Sequence, residues 1–413
     1  MKVACVGGGP AGLYLSILLK LQDPSHDITV HERDPEGSTY GWGVTYWRGL
    51  LDRLHAHDPE SARAIEEASV TWNEGEARVR DLVTRRPSDL GHGIGRHRLL
   101  EILAARARSL GVRLEFEREI TAGDLTAGDL AASDLAGADL VVAGDGVNSA
   151  LRTAHTHDFG AEIKEGRNRY IWLGTGKVFD SFTFAFVETD HGWIWCYGYA
   201  FSPERSTVVV ECAPETWTGL GLDRADEAEG LAQLEKLFAD ILDGHPLIGR
   251  SAGSGRAQWL TFRTLTNRTW HHGNLALLGD AAHTTHYSIG AGTTLALEDA
   301  IALAEALREP ADLPRALARY ERRRTSELLS IQSAARYSAQ WYENLTRYID
   351  LPPEQMFALL GQRHSPLLPY VPPQLYYRID KAAGQLEALR RFKRWLGPKV
   401  ARSVHARELS SRK

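Results

Sequence analysis

At 413 residues the chain exceeds what one hydrophobic core usually serves, so two interleaved domains are expected. Its net charge of -5 at pH 7 is mild and gives no reason to expect nucleic acid or an anionic membrane as a partner. Three cysteines, Cys5, Cys196 and Cys212, form neither C-x-x-C nor Cys/His metal spacing; the expectation is reduced, packed thiols in a cytoplasmic protein without a metal, and no stretch is long and apolar enough for a membrane span.

Lys2 to Val6 reads as a buried parallel strand, not a signal peptide, and Leu13 to Leu21 as an apolar-periodic helix. Gly7, Gly9 and Gly12 then fill the G-x-G-x-x-G places of the turn between them, which permit a tight bend, approach of backbone N–H groups to a pyrophosphate, and close helix–strand packing. Ile28 to His31 is the second strand, and Glu32, twenty residues after Gly12, is placed to hold adenosine ribose hydroxyls, with Arg33 beside it in the cofactor set. Thr39 to Tyr46, rich in glycine and aromatics, is expected to be a loop near a ligand, with Trp42 at the substrate and Tyr46 approaching the reacting edge.

Helical patterns cover Leu50 to Ala68, Ala77 to Val83 is strand-like, and Arg96 opens a helix marked by Leu99, Leu103 and Leu110. Thr121 to Leu140 holds four five-residue units ending in Asp-Leu, too few for a solenoid, so a low-complexity loop expansion is expected before the strand Asp139 to Ala143. That strand enters a second glycine turn, Gly144-Asp145-Gly146.

Tyr170 to Val178, Phe182 to Glu188, Trp193 to Phe201 and Ser206 to Cys212 suit an antiparallel sheet. Trp193, Trp195 and Tyr197 alternate onto one face, which serves either as the wall of an aromatic pocket or as core packing. A helix near Leu231 to Leu242 and a strand near Gln258 to Leu265 follow. Leu275 to Leu278 leads into Gly279-Asp280-Ala281-Ala282-His283, and Gly290-Ala291-Gly292-Thr293-Thr294 precedes a helix from Leu295 to Leu307. Beyond Leu313 come long helices broken at Pro352-Pro353, and then a basic stretch from Arg390 to Lys413.

Three segments in this order, Gly7 to Gly12, Gly144-Asp145-Gly146 and Gly279-Asp280 with the helix after it, together resemble the group A flavoprotein monooxygenases, which share the fold of para-hydroxybenzoate hydroxylase. The resemblance implies an α/β chain with a Rossmann-like FAD-binding domain of the GR2 type, an inserted, mainly antiparallel β-sheet substrate domain, and C-terminal helices. The boundaries are 1–165 and 269–335 for the FAD domain, 166–268 for the substrate domain and 336–413 for the helical region. Narrower matches lie in Gly93-Ile94-Gly95-Arg96, Trp270 to Asn274, His283 to Thr293 and Trp341-Tyr342-Glu343-Asn344. These look like the salicylyl-CoA 5-hydroxylase and 2-aminobenzoyl-CoA monooxygenase branch.

By that resemblance Asp280 binds the ribityl chain, Asp145 and Gly146 meet the pyrophosphates of FAD and of transient NAD(P)H, and Arg96 contacts the cofactor. Gly290, Gly292 and Thr293 bring a helix N-terminus to the N1–C2=O edge of reduced flavin, where its N–H groups and dipole stabilise negative charge. NAD(P)H reduces FAD, O2 adds at flavin C4a to give a hydroperoxide, and an electron-rich ring is hydroxylated. The candidates for assisting proton removal are His283, His286, Tyr287 and Tyr46. His286 stands where the family usually has proline. The implied substrate is a small aromatic molecule, with a CoA thioester, an indole or a larger natural product as options, and Arg167, Arg169, Arg263 and Arg268 are candidate phosphate contacts. A monomer or homodimer is expected. A reductase that inserts no oxygen is one alternative and a flavin-binding protein without turnover, acting through its long C-terminal helices, is another; a halogenase is not, because Trp193-Ile194-Trp195 continues as Cys196-Tyr197-Gly198 instead of W-x-W-x-I-P.

Overall fold

A computed structural model describes residues 1–38, 41–121, 135, 137–249 and 257–385. Most of the Asp-Leu repeat and the whole of 390–413 lie outside the described residues.

The first layer is a six-stranded sheet in the order His271–His272, Leu275–Leu277, Leu140–Ala143, Lys2–Val6, Asp27–His31, Arg113–Glu115. All neighbours are parallel except the terminal His271–His272 hairpin. Strands covered on both faces read as continuous apolar runs, which is why Val3 to Val6 and Leu140 to Ala143 are buried residue after residue. Helix Pro10–Gln22 starts with Pro10 in its first turn, where a missing N–H costs nothing, and packs beside helix Gly292–Arg308. The first strand-helix unit and the segment past residue 270 thus form one layer.

The second layer is a nine-stranded sheet. Its antiparallel centre is Glu162–Thr175, Ser206–Cys212, Gly192–Ala200 and Phe182–Thr189, as the alternation indicated. It is not confined to 166–268. Val70–Val79 pairs parallel with Phe182–Thr189 and continues the sheet through Leu82–Gly95 to Gly43–Trp47. The expected loop at 43–46 is therefore an edge strand, and the expected short strand at 77–83 is a hairpin of two long ones. Glycines hid them: Gly91, Gly93 and Gly95 look like a loop, yet a Cβ at Gly91 or Gly93 would lie within 3.0 Å of the Trp72 ring, so they are where aromatics lie flat on the sheet.

One face of this sheet carries Trp72, Phe184, Phe186, Trp195, Tyr197 and Val209 under Trp341, Tyr342 and Met356. The other carries Ile171, Leu173, Ile194, Val208 and Val210 under Leu234, Phe238 and Ile241. Helix Leu313–Glu343 runs unbroken for 31 residues, so the expected boundary at 335/336 falls inside a continuous helix that packs on the first layer at Leu317 and Tyr320 and on the second at Trp341.

Candidate cofactor and substrate site

Two glycine turns meet at the carboxyl ends of the central parallel strands, the position at which open α/β sheets bind ligands. Gly7 has φ +104°, and a Cβ there would lie 2.4 Å from the Gly144 carbonyl oxygen; one at Gly12 would lie 2.3 Å from that of Gly7. Those two glycines hold the turns together. Gly9, Gly146 and Gly292 have nothing within 4 Å of the same construction, so around them the backbone is bare toward open space. Helix Pro10–Gln22 has no side-chain cap at Gly9, and helix Gly292–Arg308 none at Ala291, which leaves N–H groups at both starts for an anionic ligand.

Glu32 accepts the Gly8 N–H at 2.7 Å and the Asp34 N–H at 2.9 Å, which fixes its carboxylate against the loop. Arg33 is exposed and pairs with Asp34 at 3.7 Å. Asp145 spends Oδ2 on the Ala150 N–H at 2.8 Å, while Oδ1 is buried with no hydrogen bond among the described residues. Burial raises its carboxyl above the usual value. Thr294 Oγ1, in the first turn of the second helix, is likewise buried and unpartnered. Bare glycines, uncapped helix starts and orphaned oxygens fit a dinucleotide such as FAD.

The Gly279-Asp280 turn is braced from beneath. Asp299 Oδ2 accepts the Gly279 N–H at 3.1 Å and faces His283 Nε2 at 2.9 Å, while Oδ1 accepts from Arg324 Nε at 2.7 Å. Burial opposes the Asp299 charge, but His283 and Arg324 outweigh it and hold the carboxyl below its usual range. Arg152, also buried, joins the turns by donating to the Val147 and Ala281 carbonyls at 2.6 and 3.2 Å. Asp280 itself is exposed. Its carboxyl is raised by surrounding protein and pulled back by His283 and Arg96, which brings Arg96 of the first third to the same place. The Arg96 N–H donates to the Trp42 carbonyl at 2.8 Å.

Several expected site residues are engaged elsewhere. His283 is 2% exposed, bound to Asp299 and covered by the Trp270 ring at 5.0 Å, so it braces the turn and has no face for substrate. Tyr46 is buried, with its hydroxyl 2.7 Å from Ser69 Oγ and its ring stacked on His92. Trp195 stacks on Tyr342 at 5.7 Å, and Trp193 lies under the Arg80 guanidinium at 5.1 Å. They are therefore covered by Tyr342 of the helix Leu313–Glu343 and by Arg80, not open as a pocket wall. The Trp42 ring packs over Gly174.

His286, Tyr287 and Tyr197 do converge. The His286 ring stacks on Tyr287 at 4.3 Å and meets Phe262 edge-on at 4.9 Å. Tyr287 packs on Tyr170 at 4.4 Å and on Tyr197 at 6.3 Å. Gly290 follows at φ +60°, its α-carbon so close to Thr45 that a Cβ would lie 2.7 Å from the hydroxyl oxygen. His286 Nδ1 accepts the Ser288 N–H at 3.3 Å, so the neutral ring carries its proton on Nε2. Burial, helped by Arg363, pushes its pKa down to about 3. A ring in that state donates a hydrogen bond and is a poor base. Residues not foreseen are Asp299, Arg324, Arg152, and the pair Glu211 and Asn168 behind Tyr287.

The two layers, with a dinucleotide cradle in one and an aromatic sheet face against its far turn, define the class of FAD-dependent monooxygenases. The chain matches the FAD binding domain family over residues 1–328 and belongs to it. It is 38% identical to salicyloyl-CoA 5-hydroxylase of a Streptomyces species, over 87% of this chain and 69% of that enzyme. It is 34% identical to 3-hydroxy-4-methyl-anthranilyl-[aryl-carrier protein] 5-monooxygenase of Streptosporangium sibiricum, over 88% of this chain and 94% of that one. Among solved structures, 2-methyl-3-hydroxypyridine-5-carboxylic acid oxygenase superposes with a TM-score of 0.67 at 19% identity, covering 88% of this chain and 96% of that one, which is a likeness of fold. The relatives are FAD-dependent aromatic monooxygenases, for which NAD(P)H and O2 are the usual co-substrates. Among the described residues no helix is long and apolar enough to cross a membrane.

Proposed function

We propose that this enzyme hydroxylates a small electron-rich aromatic ring presented as an acyl thioester of the hydroxybenzoyl or aminobenzoyl kind. The observation that carries this reading is the His286-Tyr287 turn, set between the aromatic sheet face and the bare helix start at Gly292. The names of the two relatives above, one acting on a CoA ester and one on a carrier-bound anthranilyl group, support the thioester.

When bound, FAD takes electrons from NAD(P)H and activates O2 for insertion into the ring. Gly9 and Gly146 give the pyrophosphate access to backbone N–H groups, and Glu32 holds the ribose. Asp145 Oδ1 and Asp280 supply further acceptors, and Arg96 adds positive charge beside Asp280. The Gly292–Arg308 helix start offers N–H donors and its dipole to negative charge on the flavin ring. His286 donates through Nε2–H to an oxygen of the substrate, and Tyr197, Tyr287 and Phe262 exclude water around it.

The test is a screen of NAD(P)H oxidation with free aromatic acids, their CoA esters and indoles, followed by labelled O2 with the best substrate. Strong stimulation by one CoA ester with label in the product is the expected result. Stimulation by indoles alone removes the thioester, and an unlabelled product removes the hydroxylase.

A further inference from the structure

Glu211 lies 1% exposed on strand Ser206–Cys212, facing the same aromatic layer as Val209. Its strand neighbours are Trp195 on one side and Tyr170 on the other. Oε1 accepts from Asn168 Nδ2 at 2.7 Å and Oε2 from the Tyr287 hydroxyl at 2.6 Å. No lysine, arginine or histidine pairs with it among the described residues. A carboxylate removed from water without a cation is costly, so burial pushes this carboxyl up to about 7, with Tyr287 and Asn168 pulling it down by less and Glu343 adding to the rise. The other titratable groups near it are Tyr197, Tyr342 and the adjacent Cys212, all of which feel its charge, and Tyr170 on the neighbouring strand. Arg363 acts on Tyr342 and His286, and Arg169, next along the neighbouring strand, lies over the Trp217 ring.

A packing role does not need an acid here. A glutamine amide would satisfy both partners without a charge to desolvate. What a carboxyl adds is the capacity to take up a proton near neutral pH at the far end of a short hydrogen bond from Tyr287.

We propose that Glu211 is the proton store of the hydroxylation site, receiving through Tyr287 the proton that a ring hydroxyl of the substrate gives up; this rests on the hydroxylase reading above. The substrate O–H bond breaks as its proton passes to Tyr287 Oη, and the Tyr287 O–H bond breaks as its own proton passes to Glu211 Oε2. The substrate gains the negative charge that Glu211 loses, Tyr287 ends neutral as it began, and no electrons are exchanged. The phenolate so formed pushes electron density into the ring, which is what an electrophilic oxygen requires. An aromatic amine is far too weak an acid to use this route. The pair therefore fits a hydroxyl-bearing ring in preference to one bearing only an amino group.

The experiment compares the FAD-loaded wild type with Glu211→Gln and Tyr287→Phe, using salicyloyl-CoA, other hydroxybenzoyl-CoA esters and 2-aminobenzoyl-CoA as probes between about pH 5.5 and 8.5. Product formed per NAD(P)H consumed is read against pH, and the infrared stretch of a protonated buried carboxyl is followed in the resting enzyme. With the hydroxyl probes the wild-type ratio is expected to rise through neutral pH, and both variants to give a ratio lower by roughly fivefold or more and flat with pH. With the amino probe the ratio should be flat with pH in the wild type and in both variants, and any loss in the variants should be smaller than with the hydroxyl probes. The infrared band should titrate near neutral pH, shift in Tyr287→Phe and vanish in Glu211→Gln. Variants that keep the wild-type ratio and pH profile on a hydroxyl probe overturn the proposal, as does an equal loss on both kinds of probe or a band that survives Glu211→Gln. A wild type that oxygenates no aromatic probe overturns the hydroxylase reading instead, and the infrared titration still reports the carboxyl by itself.

Discussion

His283 Nε2 sits 2.9 Å from Asp299 Oδ2, with both side chains buried beneath the glycine turn whose N–H the same carboxylate oxygen accepts. A histidine that reads as a reacting group is thus part of the brace that sets where Asp280 stands.

Arg324 completes that brace, and its removal would leave Asp299 charged and short of a cation. Arg324→Met is expected to destabilise the protein by about 3–5 kcal/mol, the cost of breaking a buried ion pair from one side. Urea unfolding of the FAD-free protein measures it. Because the Asp299 carboxyl is held below its usual value, its contribution is present above about pH 4 and is lost as pH falls through the lowered folded value. The variant should weaken that acid-side dependence, with the His283 contact keeping part of it.

Gly7 and Gly9 are two positions apart with opposite tasks. Gly7→Ala must clear a backbone oxygen 2.4 Å away at φ +104° and is expected to lower the melting temperature of the FAD-free protein. Gly9→Ala meets nothing within 4 Å, so it should leave that melting temperature unchanged and weaken FAD by about tenfold or more, near 1.4 kcal/mol, as read by flavin fluorescence titration.

Glu211 makes stability depend on pH in the opposite sense to Asp299. Its folded value, about 7, lies above its ordinary 4.5, so the folded state binds a proton more tightly than the unfolded one. Stability is therefore full below about pH 4.5, falls as pH rises, and levels off above about pH 7, a total on the order of 3 kcal/mol. Glu211→Gln should flatten melting temperature against pH across that window.

His286→Ala is expected to lower the ratio of hydroxylated product to NAD(P)H consumed. With a pKa near 3 the ring stays neutral above about pH 5, so this loss should be the same across the neutral range. An unchanged ratio removes His286 from the mechanism.

The parallel layer was legible because its signals are local: an apolar run, glycines at fixed offsets, an acid twenty residues on. The strands at 43–47 and 82–95 were not, because their glycines serve contacts with Trp72 and Phe201 that only the folded sheet creates. Glu211 left a readable trace, an acid inside the β-branched run Ser206 to Cys212, as did Asp299 within the apolar helix after Thr294. Arg324 left none. It is one of three adjacent arginines, and nothing local marks which of them turns inward.

The helix from Leu313 to Glu343 has its single proline in the first turn and no glycine anywhere. Arg324, under the Gly279 turn, and Trp341, against the aromatic sheet face, are therefore fixed to one stiff rod that sets the spacing between the two layers. Severing the chain within that rod would cost both halves together.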